Sequence, residues 1–182
     1  NIQDMFEAVG AHAKGSITTD ELRELECVAC PGEGSCAGLF TANTMASAIE
    51  ALGMSLPGDA SIPAVDPAKI SESRQAGRTI IELLERGIRP RDILTRQAFE
   101  NAITVVLAMG GSTNAVLHLL AIAYEAGIGL TLDDFDRIGR ETPYIGDMRP
   151  AGKYVMADLH RYGGLALVIK RLLEGDMLHG DA

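Results

Sequence analysis

Residues 96–126 set the tightest limit on how this chain folds. They are its most apolar part, with Phe99, Ile103, Val105 and Val106 before the turn-forming run Gly110-Gly111-Ser112-Thr113-Asn114, and Val116, Leu119, Leu120 and Ile122 after it. The glycines cut the stretch into halves too short to cross a bilayer. The pattern therefore predicts two buried helices joined by a tight glycine turn, around which one core can form. At 182 residues, 47% hydrophobic and 23% charged, the chain has the size and balance of a single globular domain. Its net charge of −9 makes nucleic acid and anionic membrane poor partners.

The remaining elements follow from local signals. Met5, Phe6 and Val9 give residues 2–13 a helical period, stopped by Gly15. Thr18-x-x-Glu21 is a capping box for a helix of about 19–26. Residues 54–68, with Pro57, Gly58, Pro63 and Pro67, have no helical period and read as a loop. A helix over about 69–86 places Ile70, Ile80, Ile81, Leu83 and Leu84 inside and stops at Gly87; Pro90 opens a short further turn. Thr131-x-x-Asp134 caps another helix, residues 144–148 between two prolines suggest a strand, and residues 154–174 form one or two helices interrupted at Gly163-Gly164. The expected class is mostly α with one or two short strands.

Chemistry points to Cys30-Pro31-Gly32-Glu33-Gly34-Ser35-Cys36-Ala37-Gly38-Leu39-Phe40-Thr41-Ala42-Asn43-Thr44-Met45. A thiol lies among small residues just before a helix that carries Met45, Ile49 and Leu52 on one face, with Thr41 or Asn43 as its cap and Gly53 as its stop. A sulfur near a helix N-terminus, with free N–H groups around it, is set up for thiolate chemistry and for soft metals or iron–sulfur clusters. The expectation is that Cys36 sits in a loop, its sulfur facing a cleft. Cys27 and Cys30 form a C-x-x-C pair that a zinc site or redox pair would also show, but no second pair completes it, and packing is the plainer reading. Three cysteines are too few and odd for a disulfide scaffold and fit a reducing cytosol.

Other polar residues carry weaker signals. Ser112, Thr113 and Asn114 open a helix, either as plain caps or as an anion site. His118, on an apolar face, reads as a core histidine, and His12 stands apart from it. Asp133-Asp134 and Glu24-Glu26 are first-turn or solvated charges, and Asp158 has no assigned role.

The cysteine stretch and Glu50-Ala51-Leu52-Gly53-Met54-Ser55-Leu56-Pro57-Gly58 after it resemble the dihydroxy-acid dehydratases of branched-chain amino acid synthesis. So do Ala98-Phe99-Glu100-Asn101-Ala102-Ile103, Gly110-Gly111-Ser112-Thr113-Asn114-Ala115-Val116-Leu117-His118, Leu132-Asp133-Asp134-Phe135, Lys153-Tyr154-Val155-Met156-Ala157-Asp158-Leu159 and Gly163-Gly164, in the family's order over nearly the whole chain. Sugar-acid and phosphogluconate dehydratases share the architecture, whereas Thr41-Ala42-Asn43-Thr44-Met45 is more similar to the dihydroxy-acid branch.

The resemblance implies a piece, residues 1–182, of the iron–sulfur N-terminal domain of an α/β dehydratase, with upstream segments and a C-terminal domain absent. It implies a cytoplasmic, homodimeric hydro-lyase that converts a small 2,3-dihydroxy-3-methyl acid to a 2-oxo acid. Three cysteines hold a 2Fe–2S or 4Fe–4S cluster whose open iron draws off the 3-hydroxyl. Mg²⁺, held partly by a carbamylated lysine, orients the substrate, and a serine takes the C2 proton. Only Cys36, as the third cluster ligand, falls in this chain; the Mg²⁺ ligands and the base lie outside it, so the piece alone is expected to be inactive. The rival readings are a sugar-acid dehydratase of the same superfamily and a non-enzymatic helical module that binds metal or a partner.

Overall fold

The structure, a computed structural model, describes residues 2–29 and 36–182. Among them are ten α-helices: α1 Ile2–Ala13, α2 Thr19–Val28, α3 Thr41–Ala51, α4 Pro67–Glu85, α5 Pro90–Ile93, α6 Arg96–Met109, α7 Asn114–Ala126, α8 Leu132–Glu141, α9 Met156–Arg161 and α10 Gly164–Glu174. A 3-10 turn, Asp59–Ser61, lies in the loop before α4. The local stop and start signals account for most of these boundaries. Gly15, Gly53, Gly87, Gly110 and Gly127 all take positive φ just past a helix, a region that other residues enter at a cost. Thr18 and Glu21 form the capping box of α2, and Asp134 Oδ2 accepts from Thr131 N at 2.9 Å to start α8.

Helix α6 is the centre. Ala98, Phe99, Ala102, Ile103, Val105, Ala108 and Met109 are all buried. One side of α6 packs with Ala48 and Leu52 of α3, Ala115, Leu119 and Ala123 of α7, and Ile138 of α8. Its other side packs with Leu39, Met148, Met156 and the Leu165, Val168 and Leu172 face of α10. Two apolar faces on one helix need cover on both sides, and only the strip of Arg96, Gln97, Glu100 and Asn101 is left towards solvent. Helix α7 is covered on one side only, since Leu117 and Tyr124 are exposed.

Two expectations are corrected. Residues 144–148 form no strand: among the described residues the only sheet-like pairing is an isolated bridge, Met148 with Tyr154. Instead Ile145 N and Gly146 N both donate to Ala108 O, at 2.8 and 2.9 Å, so the segment closes the C-terminal end of α6. Gly146 makes this possible, because a β-carbon there would come within 2.7 Å of Met109 O. Helix α4 forms as expected, but Ile70, Ile80, Ile81 and Leu84 face outward and only Leu83 is half-buried. Periodicity groups residues on one face of a helix and says nothing of what covers that face.

Polar contacts fix α8 on α6. Arg96 pairs with Asp134, and Arg137 donates to Glu100 at 2.7 Å. Burial works against the charge on Asp134, but the bonds from Arg96 and Thr131 prevail and hold its pKa at about 2. Because the folded state keeps this carboxyl ionised, its contribution is complete above the ordinary carboxylate range and is lost as pH falls towards about 2. Asp134→Asn should lower unfolding stability by on the order of 1 kcal/mol at neutral pH, after allowance for the solvent on its outer edge. The gap from the parent protein should close on acidification to about pH 2; urea titrations at several pH values measure it. Gly164→Ala should destabilise by roughly 1–3 kcal/mol. Gly164 has φ +69°, and a β-carbon would land on Ser61 Oγ, which already accepts from Leu165 N.

Candidate functional site

The site is built on the segment that leads into α3. Cys36 and Ala37 are half-buried, Gly38 and Leu39 are buried, and α3 begins at Thr41. Two backbone bonds hold the segment to a distant turn: Leu39 N donates to Arg149 O at 2.7 Å, and Met156 N donates to Ala37 O at 2.8 Å. Gly38 is required there, since a β-carbon would sit 2.7 Å from the Phe40 ring and 3.0 Å from Arg149 O. Neither Thr41 nor Asn43 caps α3, contrary to expectation. Phe40 is the N-cap and offers no side-chain bond. Asn43 instead turns back, its amide nitrogen donating to Cys36 O at 3.0 Å and to Gly38 O at 2.6 Å.

Cys36 lines a cleft of about 560 Å³, whose walls come from α3, residues 59–64 and residues 155–157. Ala37, Ala42 and Ala46 keep the thiol side free of bulk. Two cations also line the cleft, and both are engaged. Lys69 binds Asp59 through its side chain and its carbonyl, with Glu72 at 3.9 Å. Burial, then the facing Asp59 carboxyl, push the Glu72 pKa up. Arg161 donates to Asp158 at 2.9 Å, and Asp158 also accepts from Val155 N at 3.0 Å to start α9.

Glu50, buried in α3, has its two carboxylate oxygens on Gly58 N at 2.7 Å and Ala60 N at 2.9 Å. It thereby hangs one cleft wall from the helix that forms the other. The sequence reading missed this role and that of Asn43, Lys69 and Arg161. The only local hint was that Glu50 and Asn43 are polar residues on a helix otherwise rich in alanine.

The other candidates resolve plainly. Ser112 N donates to Thr44 Oγ1 at 2.9 Å, and Asn114 Nδ2 donates to Thr41 Oγ1 at 2.7 Å, so the glycine turn is pinned to the first turn of α3. A β-carbon at Gly111 would lie 2.7 Å from the Thr44 methyl. His118 is exposed, not in the core. His12 contacts Thr19 Oγ1 at 3.1 Å, away from His118. Cys27 is exposed on α2, and Cys30 lies outside the described residues. Among the described residues no group of three or more His, Cys, Asp or Glu side chains could hold a metal ion, and no helix is long and apolar enough to cross a membrane.

The whole chain, residues 1–182, matches the family described as dihydroxy-acid/6-phosphogluconate dehydratase N-terminal. The chain belongs to this dehydratase family. It is 62% identical over 180 residues to a dihydroxy-acid dehydratase of Sulfurisphaera tokodaii, a match covering 99% of this chain and 32% of the relative. It is 58% identical over 176 residues to dihydroxy-acid dehydratase 2 of Staphylococcus saprophyticus, covering 97% and 31%, and 56% identical over 181 residues to a dihydroxy-acid dehydratase of Oceanobacillus iheyensis, covering 100% and 32%. The chain thus spans about a third of the length of the curated relatives it matches.

In this dehydratase chain Glu50→Ala should cost roughly 2–4 kcal/mol, because it leaves two loop N–H groups without their charged acceptor. Glu50→Gln should cost less, since one amide oxygen still accepts. Chemical unfolding measures both. Equal stability of all three proteins would remove Glu50 from its place as the tie between the cleft walls.

Proposed function

We propose that the whole protein is a dihydroxy-acid dehydratase, a hydro-lyase that turns 2,3-dihydroxy-3-methyl acids into 2-oxo acids for branched-chain amino acid synthesis. Residues 1–182 are then part of its N-terminal, iron–sulfur domain within an α/β enzyme, whose C-terminal domain lies outside this chain. Cys36 is one of three thiolate ligands of a 2Fe–2S or 4Fe–4S cluster, and the Mg²⁺ ligands and proton-abstracting base come from the rest of the enzyme. The working form is a cytoplasmic homodimer, and this piece alone is inactive. One observation carries the reading: the family's cysteine motif ends on Cys36, a residue that lines a cleft beside the start of α3.

The residues present fit a cluster as a partial ligand set. Cys36 supplies a soft donor, alanines leave room around it, and the cleft holds about 560 Å³. The cluster, when bound, supplies an open iron as Lewis acid towards the leaving hydroxyl. This chain's own residues hold the thiol still. The bonds from Leu39 N and Met156 N keep its loop on the 149–156 turn, and Glu50 keeps the opposite wall in place. Among the described residues that line the cleft, the two cations Lys69 and Arg161 are both tied to acids. The runner-up, a sugar-acid dehydratase, is favoured by the breadth of the family description alone. Assaying the full-length enzyme on both substrate classes separates the two.

Cys36→Ser in the full-length enzyme should lose most iron and most dehydratase activity, because a hydroxyl is a poor substitute for a thiolate on iron. Cys27→Ser and Cys30→Ser should keep both. Iron per chain and the visible absorption band, compared across the three variants, decide the matter. Full iron in Cys36→Ser overturns the ligand assignment.

A further inference from the structure

We propose that Asn43 is the positioning residue for the Cys36 thiol. The inference rests on the cluster-ligand reading above and deepens it. A cysteine loop that must present its sulfur to a cleft has to do something with its own carbonyls, which are strong acceptors. Here two of them, Cys36 O and Gly38 O, converge on one amide group, Asn43 Nδ2, at 3.0 and 2.6 Å. Both amide hydrogens of Asn43 are thereby used, and the loop is pulled onto α3 from within. The backbone carbonyl of Asn43 accepts from Ser47 Oγ at 2.9 Å within the helix, and Ser47 is buried, so the turn of α3 that carries the amide is itself packed.

The Gly38 carbonyl makes the arrangement more than a loop brace. Cys36 Sγ lies 3.7 Å from Gly38 O, in the geometry of a weak S–H donor. A sulfur bonded to metal has no hydrogen to donate, and its lone pairs then face a carbonyl oxygen. Without another donor that carbonyl would be left unpaired in a half-buried loop. Asn43 is the donor that remains, so the ligand-bearing conformation keeps its carbonyls satisfied once the thiol hydrogen is gone. Partners of this kind, one bond removed from a ligand, fix its orientation and typically change metal affinity when removed. The residue type matters as well: aspartate has the same shape as asparagine but would set acceptor oxygens against two carbonyl oxygens.

The test uses the full-length enzyme with Asn43→Gln, Asn43→Ala and Asn43→Asp, and with Cys36→Ser in parallel. Iron per chain and the shape of the visible absorption and electron paramagnetic resonance signals are measured, and hydrogen exchange of the cluster-free protein is followed by mass spectrometry. A donor role predicts the order Asn, then Gln, then Ala, then Asp, with Ala and Asp holding cluster roughly 10–100-fold more weakly. Exchange should quicken by roughly tenfold over residues 36–44 and 149–156 and stay unchanged in α6 and α7. A role in filling space predicts the reverse, with isosteric Asp equal to Asn and Gln the worst, and that order overturns the proposal. So does faster exchange spread over the whole chain, which would make Asn43 a general stabiliser. If Asp does not fold, Gln against Ala still decides. Iron retained by Cys36→Ser overturns the ligand reading itself; iron lost there but kept in all three Asn43 variants overturns only this inference.

Discussion

Helix α6 is buried on two faces and turns only the polar strip of Arg96, Gln97, Glu100 and Asn101 towards solvent, and the rest of the described structure is arranged around that constraint. Ala98, Ala102 and Ala108 let neighbouring helices come close, while Phe99, Ile103 and Met109 fill the space between them. Burying a side chain such as Phe99 or Ile103 stabilises by about 1.5–3 kcal/mol each, far above any single exposed ion pair in the chain. Coverage of one side recruits α3, α7 and α8; coverage of the other recruits α10 and the 145–148 segment. The cleft follows from this. α3 must lie on α6, and the glycine turn after α6 must then meet the first turn of α3, where Thr41 and Thr44 receive it. The thiol loop enters just ahead of that junction, so its place is set by the core.

What was legible in the sequence was local. A capping box needs four consecutive residues, and Thr18 to Glu21 shows it; a helix stop needs one residue able to take positive φ, and Gly53, Gly87 and Gly110 show that. The Gly163-Gly164 break is of the same kind, with Ser61 Oγ occupying the space a β-carbon would need. Those features depend on energies within one turn of chain. The strand expected at 144–148 failed because β-like residues between prolines still need a partner strand. The partner on offer was the carbonyl of Ala108 at a helix end, which two adjacent N–H groups share.

The candidate site divides in the same way. Cys36 was visible because its motif is contiguous, and its loop setting follows from small residues ahead of a helix. From the sequence either Thr41 or Asn43 reads as the cap of α3, since both residue types are common at helix starts. Asn43 faces backwards, donating to the Cys36 and Gly38 carbonyls, in a loop that bonds from Leu39 N and Met156 N hold against residues 149–156, and those partners are remote in sequence. The opposite wall, residues 59–64, is tied to α3 through Glu50 and to α10 through Ser61. Ten and 104 residues separate those partners, a range at which neither periodicity nor motif spacing carries information.

The outward face of α4 follows from the same distinction between pattern and cover. Ile70 and Leu84, two turns either side of Gly77, are 61% and 75% exposed, with Ile80 and Ile81 beside them. Phe6 and Val9 of α1 are likewise uncovered. Covering four such side chains would contribute on the order of 5–10 kcal/mol, comparable with the whole net stability of an ordinary domain. Helix α4 is nevertheless a regular nineteen-residue helix, started by Asp66 on Ala68 N at 2.8 Å. Its apolar period is therefore not needed to fold against α6, whose surface is already taken by other helices. The four side chains stay at the surface of the described residues, where they add nothing to the packing around α6. The tie of α4 to the site is polar: Lys69 at the start of α4 holds Asp59 in the cleft wall, so a regular helix that packs little of its own apolar face still anchors that wall.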